Sequence, residues 1–120
     1  MAWKKPSQEL IALLIARMEP HGAQKKTMFG STTYFANGYM LIGVHEDHIF
    51  LRLPEAGRQE LLSRFKDAAQ FEPMKGRPMR EYMIIPPALY EDRESFNKWI
   101  EQSMDYVMSL PAKAPKARKK

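Results

Sequence analysis

The residues best suited to chemistry are few and scattered along a chain of 120. His45-Glu46-Asp47-His48 is the one cluster with metal-ligand character. Its two histidines would stand at the two stems of a tight hairpin, and alternation alone does not decide whether their imidazoles approach each other. A metal site needs further protein ligands or open water positions in suitable geometry. Glu46 and Asp47 fit a solvated turn equally simply, so the expectation is a turn and no metal. Ser31, Thr32 and Thr33 offer hydroxyls. Acyl transfer needs a base within hydrogen-bond reach and an oxyanion site, and the sequence assembles neither with these hydroxyls. No Walker loop or dinucleotide fingerprint is present. The expectation is therefore no catalytic residue, no cofactor and no enzyme. Lys25-Lys26, Lys75-Gly76-Arg77 and Arg80, with Tyr34, Tyr39 and Tyr82, have the composition of a basic, aromatic nucleic-acid surface. Ordinary surface charge is the simpler reading of them.

The distribution of charge supports that reading. The net charge is +5, from 19 basic and 14 acidic side chains. Residues 111–120 hold Lys113, Lys116, Arg118, Lys119 and Lys120 and no acid, so the rest is formally neutral. Alanine and proline among those lysines describe a disordered basic tail. The expected organisation is one domain over 7–110, followed by the tail at 111–120. Cysteine is absent, which removes disulfides and thiolate chemistry. No apolar run reaches membrane-spanning length. The start, Met1 to Pro6, lacks the apolar core of a secretory leader. An intracellular, cytoplasmic protein is expected.

Elements that would position these residues follow from periodicity. Leu10, Ile11, Leu14, Ile15 and Met18 recur at helical spacing after Ser7, a suitable N-cap. Pro20 and Gly22 end that helix. Thr27 to Phe35 reads as one strand, with Gln24 to Lys26 as its polar approach. Neither alternating set is purely apolar, so alternation does not choose the core face. A bulge near Gly30 or Ser31 would change the phase. Asn37-Gly38 is a strong hairpin signal, because both residues accept positive φ. Tyr39 to Val44 returns antiparallel, Glu46-Asp47 turns again, and Ile49 to Leu53 forms the next strand. Pro54 opens a second helix with Leu61, Leu62, Phe65, Ala68 and Ala69 as its apolar face. Gly57 is a poor residue within it. Phe71 to Met74 reads as a short strand or extended connection, and Arg80 to Ile85 as a strand closed by Pro86-Pro87. A last helix from Asp92 to about Leu110 packs through Phe96, Trp99, Ile100 and Val107, with Met104 beside them.

The order is α-β-β-β-α-β-β-α. It describes an α+β fold: a mostly antiparallel five-stranded sheet with three helices on one side. The other side would face solvent or a partner. Tyrosine, phenylalanine and methionine are numerous enough to make partner burial a serious reading.

Several segments now combine. They are Lys26-Thr-Met-Phe-Gly30, Tyr34-Phe35, Asn37-Gly38-Tyr-Met-Leu-Ile42, Ile49-Phe-Leu-Arg52, and Phe71-Glu-Pro-Met-Lys-Gly-Arg-Pro-Met79 before Tyr82 and Pro86, with Trp99 in the last helix. Over residues 7–108 the chain resembles the TfoX N-terminal domain family. Ser31 stands where a second glycine is usual, and Asn37 replaces the usual aspartate. Arg77 replaces a lysine. The resemblance implies a secretion-chaperone-like α+β fold. It implies a small regulatory or protein-interaction domain of unassigned biochemical activity, similar to the N-terminal part of competence regulators. It marks Met28, Phe29, Gly30, Gly76, Arg77 and Tyr82 as family-like positions without an assigned role. A homodimer or protein partner is the leading expectation. Weak nucleic-acid binding helped by the tail and a small enzyme or metal/ligand-binding protein are the alternatives.

Overall fold

A computed structural model describes residues 7–28, 31–72, 76 and 79–111. The described elements are α1 (Gln8–Met18), β1 (Gln24–Met28), β2 (Ser31–Ala36), β3 (Tyr39–His45), β4 (His48–Arg52), α2 (Glu55–Arg64), β5 (Ala69–Gln70), β6 (Tyr82–Ile85), α3 (Pro87–Tyr90) and α4 (Arg93–Ser109). A short 3₁₀ turn, Glu19–His21, follows α1. The strands form one antiparallel sheet in the order β1-β2-β3-β4-β6-β5.

The sheet thus has six strands and the domain four helices, not five and three. Two local causes explain the difference. The stretch expected as one strand reverses between Met28 and Ser31, which pair with each other. Gln24, Lys25 and Lys26 belong to β1 rather than to an approach. An edge strand without a buried face needs no apolar alternation, so a polar run can form it. The extra helix, α3, is a four-residue turn opened by Pro86 and Pro87, too short for any 3.6-residue pattern. β5 comes before Phe71; residues 73 and 74 of the expected Phe71–Met74 strand or connection lie outside the described residues.

Both tight turns expected from the sequence are present. Asn37 and Gly38 have φ of 55° and 86°, and Glu46 has φ of 55°. An irregularity lies in the β2–β3 pair between Tyr34 and Phe35, whereas Gly30 lies outside the described residues. Tyr34 faces Ile42 and Phe35 faces Met40, which leaves Leu41 as the extra residue of a bulge. Leu41 and Ile42 are consequently buried in the same core cluster although adjacent in sequence.

That cluster lies between the sheet and the helices. Ile42, Val44, Ile49, Leu51, Met83 and Ile85 face Leu14 and Met18 of α1, Leu61 of α2, Leu89 of α3, and Phe96, Ile100 and Val107 of α4. Ser7 caps α1, its Oγ accepting from the Leu10 amide at 3.2 Å. Of the expected α1 stripe, Leu14 and Met18 are buried, Leu10 and Ile11 half-buried, and Ile15 exposed. Asp92 is the N-cap residue of α4 but makes no side-chain capping bond. Leu62 of α2 is exposed, and Phe65 and Ala69 lie beyond the end of that helix.

The opposite sheet face is filled. Phe71 crosses it and stacks on Phe50, with centroids 4.4 Å apart and planes 9° from parallel. Met40 and Tyr82 complete a second buried cluster, flanked by Phe35, Met79 and Ile84. The main chain fixes Phe71 there: its N–H donates to the Tyr82 carbonyl at 2.8 Å, and the Met79 N–H donates to its carbonyl at 2.9 Å.

Candidate functional site

Alternation along β4 turns Phe50 and Arg52 toward this second face. Phe50 enters the apolar cluster, whereas Arg52, at the strand end, gathers polar groups from four segments. Arg52 Nε donates to Glu81 Oε1 at 2.7 Å, and Nη2 lies 2.6 Å from the same oxygen. Nη1 donates to the Tyr82 hydroxyl at 3.4 Å. Three rings surround the guanidinium, with centroids at 4.8 Å for Tyr39, 5.4 Å for Tyr82 and 5.9 Å for Tyr106. The Tyr106 hydroxyl donates to Glu81 Oε2 at 2.8 Å, and that of Tyr82 to the Met40 carbonyl at 2.8 Å. Such charge-assisted contacts hold a planar guanidinium in one orientation.

Partial burial acts against the Glu81 carboxylate. Hydrogen bonds from Tyr106 and Arg52, with the Arg52 charge, outweigh it and hold the carboxyl below its usual range. Burial pushes the Tyr82 phenol up. Burial, the bond to Glu81 and the Glu81 charge do the same for Tyr106. The Arg52 and Glu81 side chains retain 16% and 32% exposure, so the cluster is both ordered and accessible.

The β2–β3 hairpin ties the end of α4 beside it. Asn37 Nδ2 donates to the Val107 carbonyl at 2.8 Å and to the Leu110 carbonyl at 2.9 Å. The Tyr39 hydroxyl donates to the Pro111 carbonyl at 2.7 Å. Helix-terminal carbonyls have no partner within the helix, so Asn37 acts as a C-cap supplied from another element.

Of the six family-like positions, Tyr82 lies within this cluster. Met28 ends β1, paired with Ser31. Gly76 has φ of 81°, a conformation that side chains resist, and its N–H donates to the Glu72 carboxylate. Phe29, Gly30 and Arg77 lie outside the described residues, as does Lys75. Sequence reasoning did not gather Arg52, Glu81, Tyr39 and Tyr106 into one site. The usable signal was Arg52 at a face position next to buried Phe50, a cation that required a partner there.

The remaining chemical residues do not converge with it. His45 and His48 pair across the hairpin. His45 sets its ring edge toward Phe71 at 5.3 Å, and burial lowers its pKa. His48 Nε2 lies 3.4 Å from Asp47 Oδ1, and donor atoms of Glu46, Asp47 and His48 fall within 4.8 Å of one another. The turn is exposed at Asp47 and half-exposed on both sides of it. Thr33 Oγ1 donates to the Lys26 carbonyl at 3.1 Å. A cleft of about 300 Å³ between α2 and α4 is lined by Glu60, Arg64, Asp92, Lys98 and Trp99, among others. Its mixed charges include no histidine. No helix among the described residues is long and apolar enough to cross a membrane.

These features define a small α+β domain with two faces of core and an ordered arginine–tyrosine cluster at one end of its sheet. The chain belongs to the TfoX N-terminal domain family, whose model matches residues 15–107. The match covers most of the chain and agrees with a small regulatory or interaction domain of unassigned biochemical activity. Comparison with curated proteins returns no match.

Proposed function

We propose that this domain acts by binding another protein and that the Arg52 cluster is the centre of the contact. One observation carries the reading: Arg52 is held under Tyr39, Tyr82 and Tyr106 while remaining partly exposed. Arginine and tyrosine dominate binding hot spots, and groups already fixed lose little entropy when a partner arrives. Residues 7–110 form the binding domain in this reading, with 111–120 as an appended basic segment in a cytoplasmic protein. A second copy of the chain or a different protein is the partner. The test is a photo-crosslinking residue placed at Tyr106 and, as a control, at exposed Lys98, in cells that produce the protein. Discrete adducts from position 106 and none from position 98 are expected. Equal patterns from both positions would refute the reading.

Weak nucleic-acid binding is the second reading. It rests on Tyr39, beside Arg52, holding Pro111, the last described residue before a stretch of sequence with five basic residues and no acid. Removing 112–120 should leave the melting temperature unchanged and abolish binding to single-stranded DNA at low salt. Undiminished binding would remove the tail from consideration.

A further inference from the structure

The sheet ends in two unequal edges. β5 has two residues, whereas β1 has five, spanning about 17 Å. β1 pairs with β2 on one side and with no strand among the described residues on the other. Four consecutive side chains, Gln24 to Thr27, are exposed. Met28 and Ser31 close the β1–β2 hairpin as a pair separated by two residues. The closing pair of such a hairpin exchanges hydrogen bonds, and hydrogen-bonded and open pairs then alternate. Gln24, Lys26 and Met28 therefore direct their main-chain groups to β2. Lys25 and Thr27 present N–H and C=O groups outward.

The side chains specify what those groups can receive. Lys25 and Lys26 project to opposite faces. Neither has a carboxylate within ion-pair distance among the described residues, in contrast to Arg52 and Arg64, which do. Lys26 Nζ stands 4.7 Å from the centre of the Phe35 ring, a contact that orients the ammonium without neutralising it. Edge lysines repel neutral and basic strands, because pairing would desolvate an unmatched charge. They also exclude a second copy of this edge. A hydrogen-bonded antiparallel self-pair matches outward residues with outward residues; centred on Lys26 it sets Lys26 against Lys26, and centred on Lys25 it sets Lys25 against Lys25. An acidic strand alone converts both penalties into attraction, so the same charges that exclude other strands define the accepted one.

We propose that β1 is a docking edge for an extended acidic segment of a partner protein, which adds to the sheet as a seventh strand. Main-chain bonds to Lys25 and Thr27 supply the pairing, and carboxylates on both faces of the segment meet Lys25 and Lys26. This goes beyond the Arg52 reading, since it uses a different edge and a different kind of contact. Its test is independent of crosslinking at Tyr106.

The probe is a capped hexapeptide with adjacent aspartate and glutamate at its centre, flanked by valine and threonine, so that a carboxylate projects from each face; it is titrated into the isotopically labelled full chain and followed by amide NMR. Saturable shifts confined to residues 24–28 and the adjoining strand are expected, with interstrand contacts to Lys25 and Thr27. The double variant Lys25→Glu, Lys26→Glu should weaken binding by about tenfold or more. Thr27→Pro removes one outward N–H at an edge position where proline is tolerated, and should abolish binding while the remaining spectrum is kept. A peptide N-methylated at alternate residues tests the same bonds without altering the fold, and should not bind. The proposal is overturned if the N-methylated peptide binds as well as its parent, if the lysine-for-acid peptide binds equally, or if the shifts map away from β1. Concentration-dependent broadening of residues 24–28 in the free chain would overturn it in favour of self-pairing.

Discussion

Gly43 and Gly57 both lie inside regular elements, yet the same substitution should affect them in opposite directions. A Cβ at Gly43 would stand 2.6 Å from Thr33 Cγ2, 2.7 Å from Phe50 Cζ and 3.0 Å from Phe50 Cε2. Carbon atoms rest near 3.5–4.0 Å apart, so these contacts are deeply repulsive. Neither neighbour can yield. Thr33 is fully buried and bonded to the Lys26 carbonyl, and Phe50 is fully buried beneath the Phe71 ring. Gly43→Ala must displace Phe50, at about 1–3 kcal/mol for overpacking and about 1 kcal/mol for the disturbed aromatic stack. A loss of about 2–4 kcal/mol follows, or roughly 10 °C or more in Tm. At Gly57 the added Cβ would meet the amide oxygen of Gln102, with Gln102 Cδ at 3.3 Å and Leu53 Cβ at 3.4 Å. That oxygen is buried without a hydrogen bond, at the end of a flexible side chain. Swinging it into water relieves the contact and satisfies the atom, while alanine gains about 1 kcal/mol over glycine within a helix. Gly57→Ala should therefore be neutral or stabilising by up to about 1 kcal/mol. Denaturant unfolding of both variants, with near-ultraviolet circular dichroism as a second probe, decides the matter. A Gly43→Ala chain within about 0.5 kcal/mol of wild type would refute the rigidity assigned to the Phe50–Phe71 stack.

Two further outcomes follow from the site. Glu81 titrates below its ordinary 4.5 when folded, so its contribution is present above that value and is lost as pH falls through the folded pKa. Burial lowers His45 below 6.5, so the unfolded chain takes up that proton first and stability declines as pH drops below 6.5. Unfolding measured from pH 3 to 8 should show both falls; Glu81→Gln should flatten the lower one, and an unchanged acid limb would contradict the geometry at Arg52. Asn37→Gly keeps the positive φ but deletes two bonds to the end of α4, for a loss of about 1–2 kcal/mol, whereas Asn37→Ala should lose about 1 kcal/mol more through backbone strain. Equal stabilities for the two variants would mean that the strain is absent.

What could be read beforehand was local. Asn37-Gly38 announces its turn because the conformational preference resides in those two residues. The last helix announces itself because Phe96, Trp99, Ile100 and Val107 all meet one core. The β1–β2 reversal was hidden by chemistry favourable to strands on both sides of it: Thr27, Thr32, Thr33, Tyr34 and Phe35 are all β-prone, and Gly30-Ser31 between them reads as a bulge as readily as a turn. The bulge at Leu41 was hidden for the opposite reason. Met40, Leu41 and Ile42 are all apolar, so no alternation existed in which a slipped phase could appear.

The site was less legible because its members are brought together by the sheet, not by spacing. Arg52 and Glu81 lie 29 positions apart, and Glu81 and Tyr106 another 25. Neither separation has a period that a sequence can display. The second face adds a reason. Phe71 looks like a residue of a connection, yet it seals the face by stacking on Phe50. That seal bears directly on function. The sheet face that would have met solvent or a partner is covered from within the chain by Phe71 and its neighbours. The two proposed contacts accordingly lie at the margins of the sheet, where polar and charged groups remain accessible: the Arg52 cluster and the lysines of β1. A partner using either must satisfy directed hydrogen bonds and charges. Such contacts discriminate by what is left unpaired when the wrong molecule arrives, and they favour selective association over strong association.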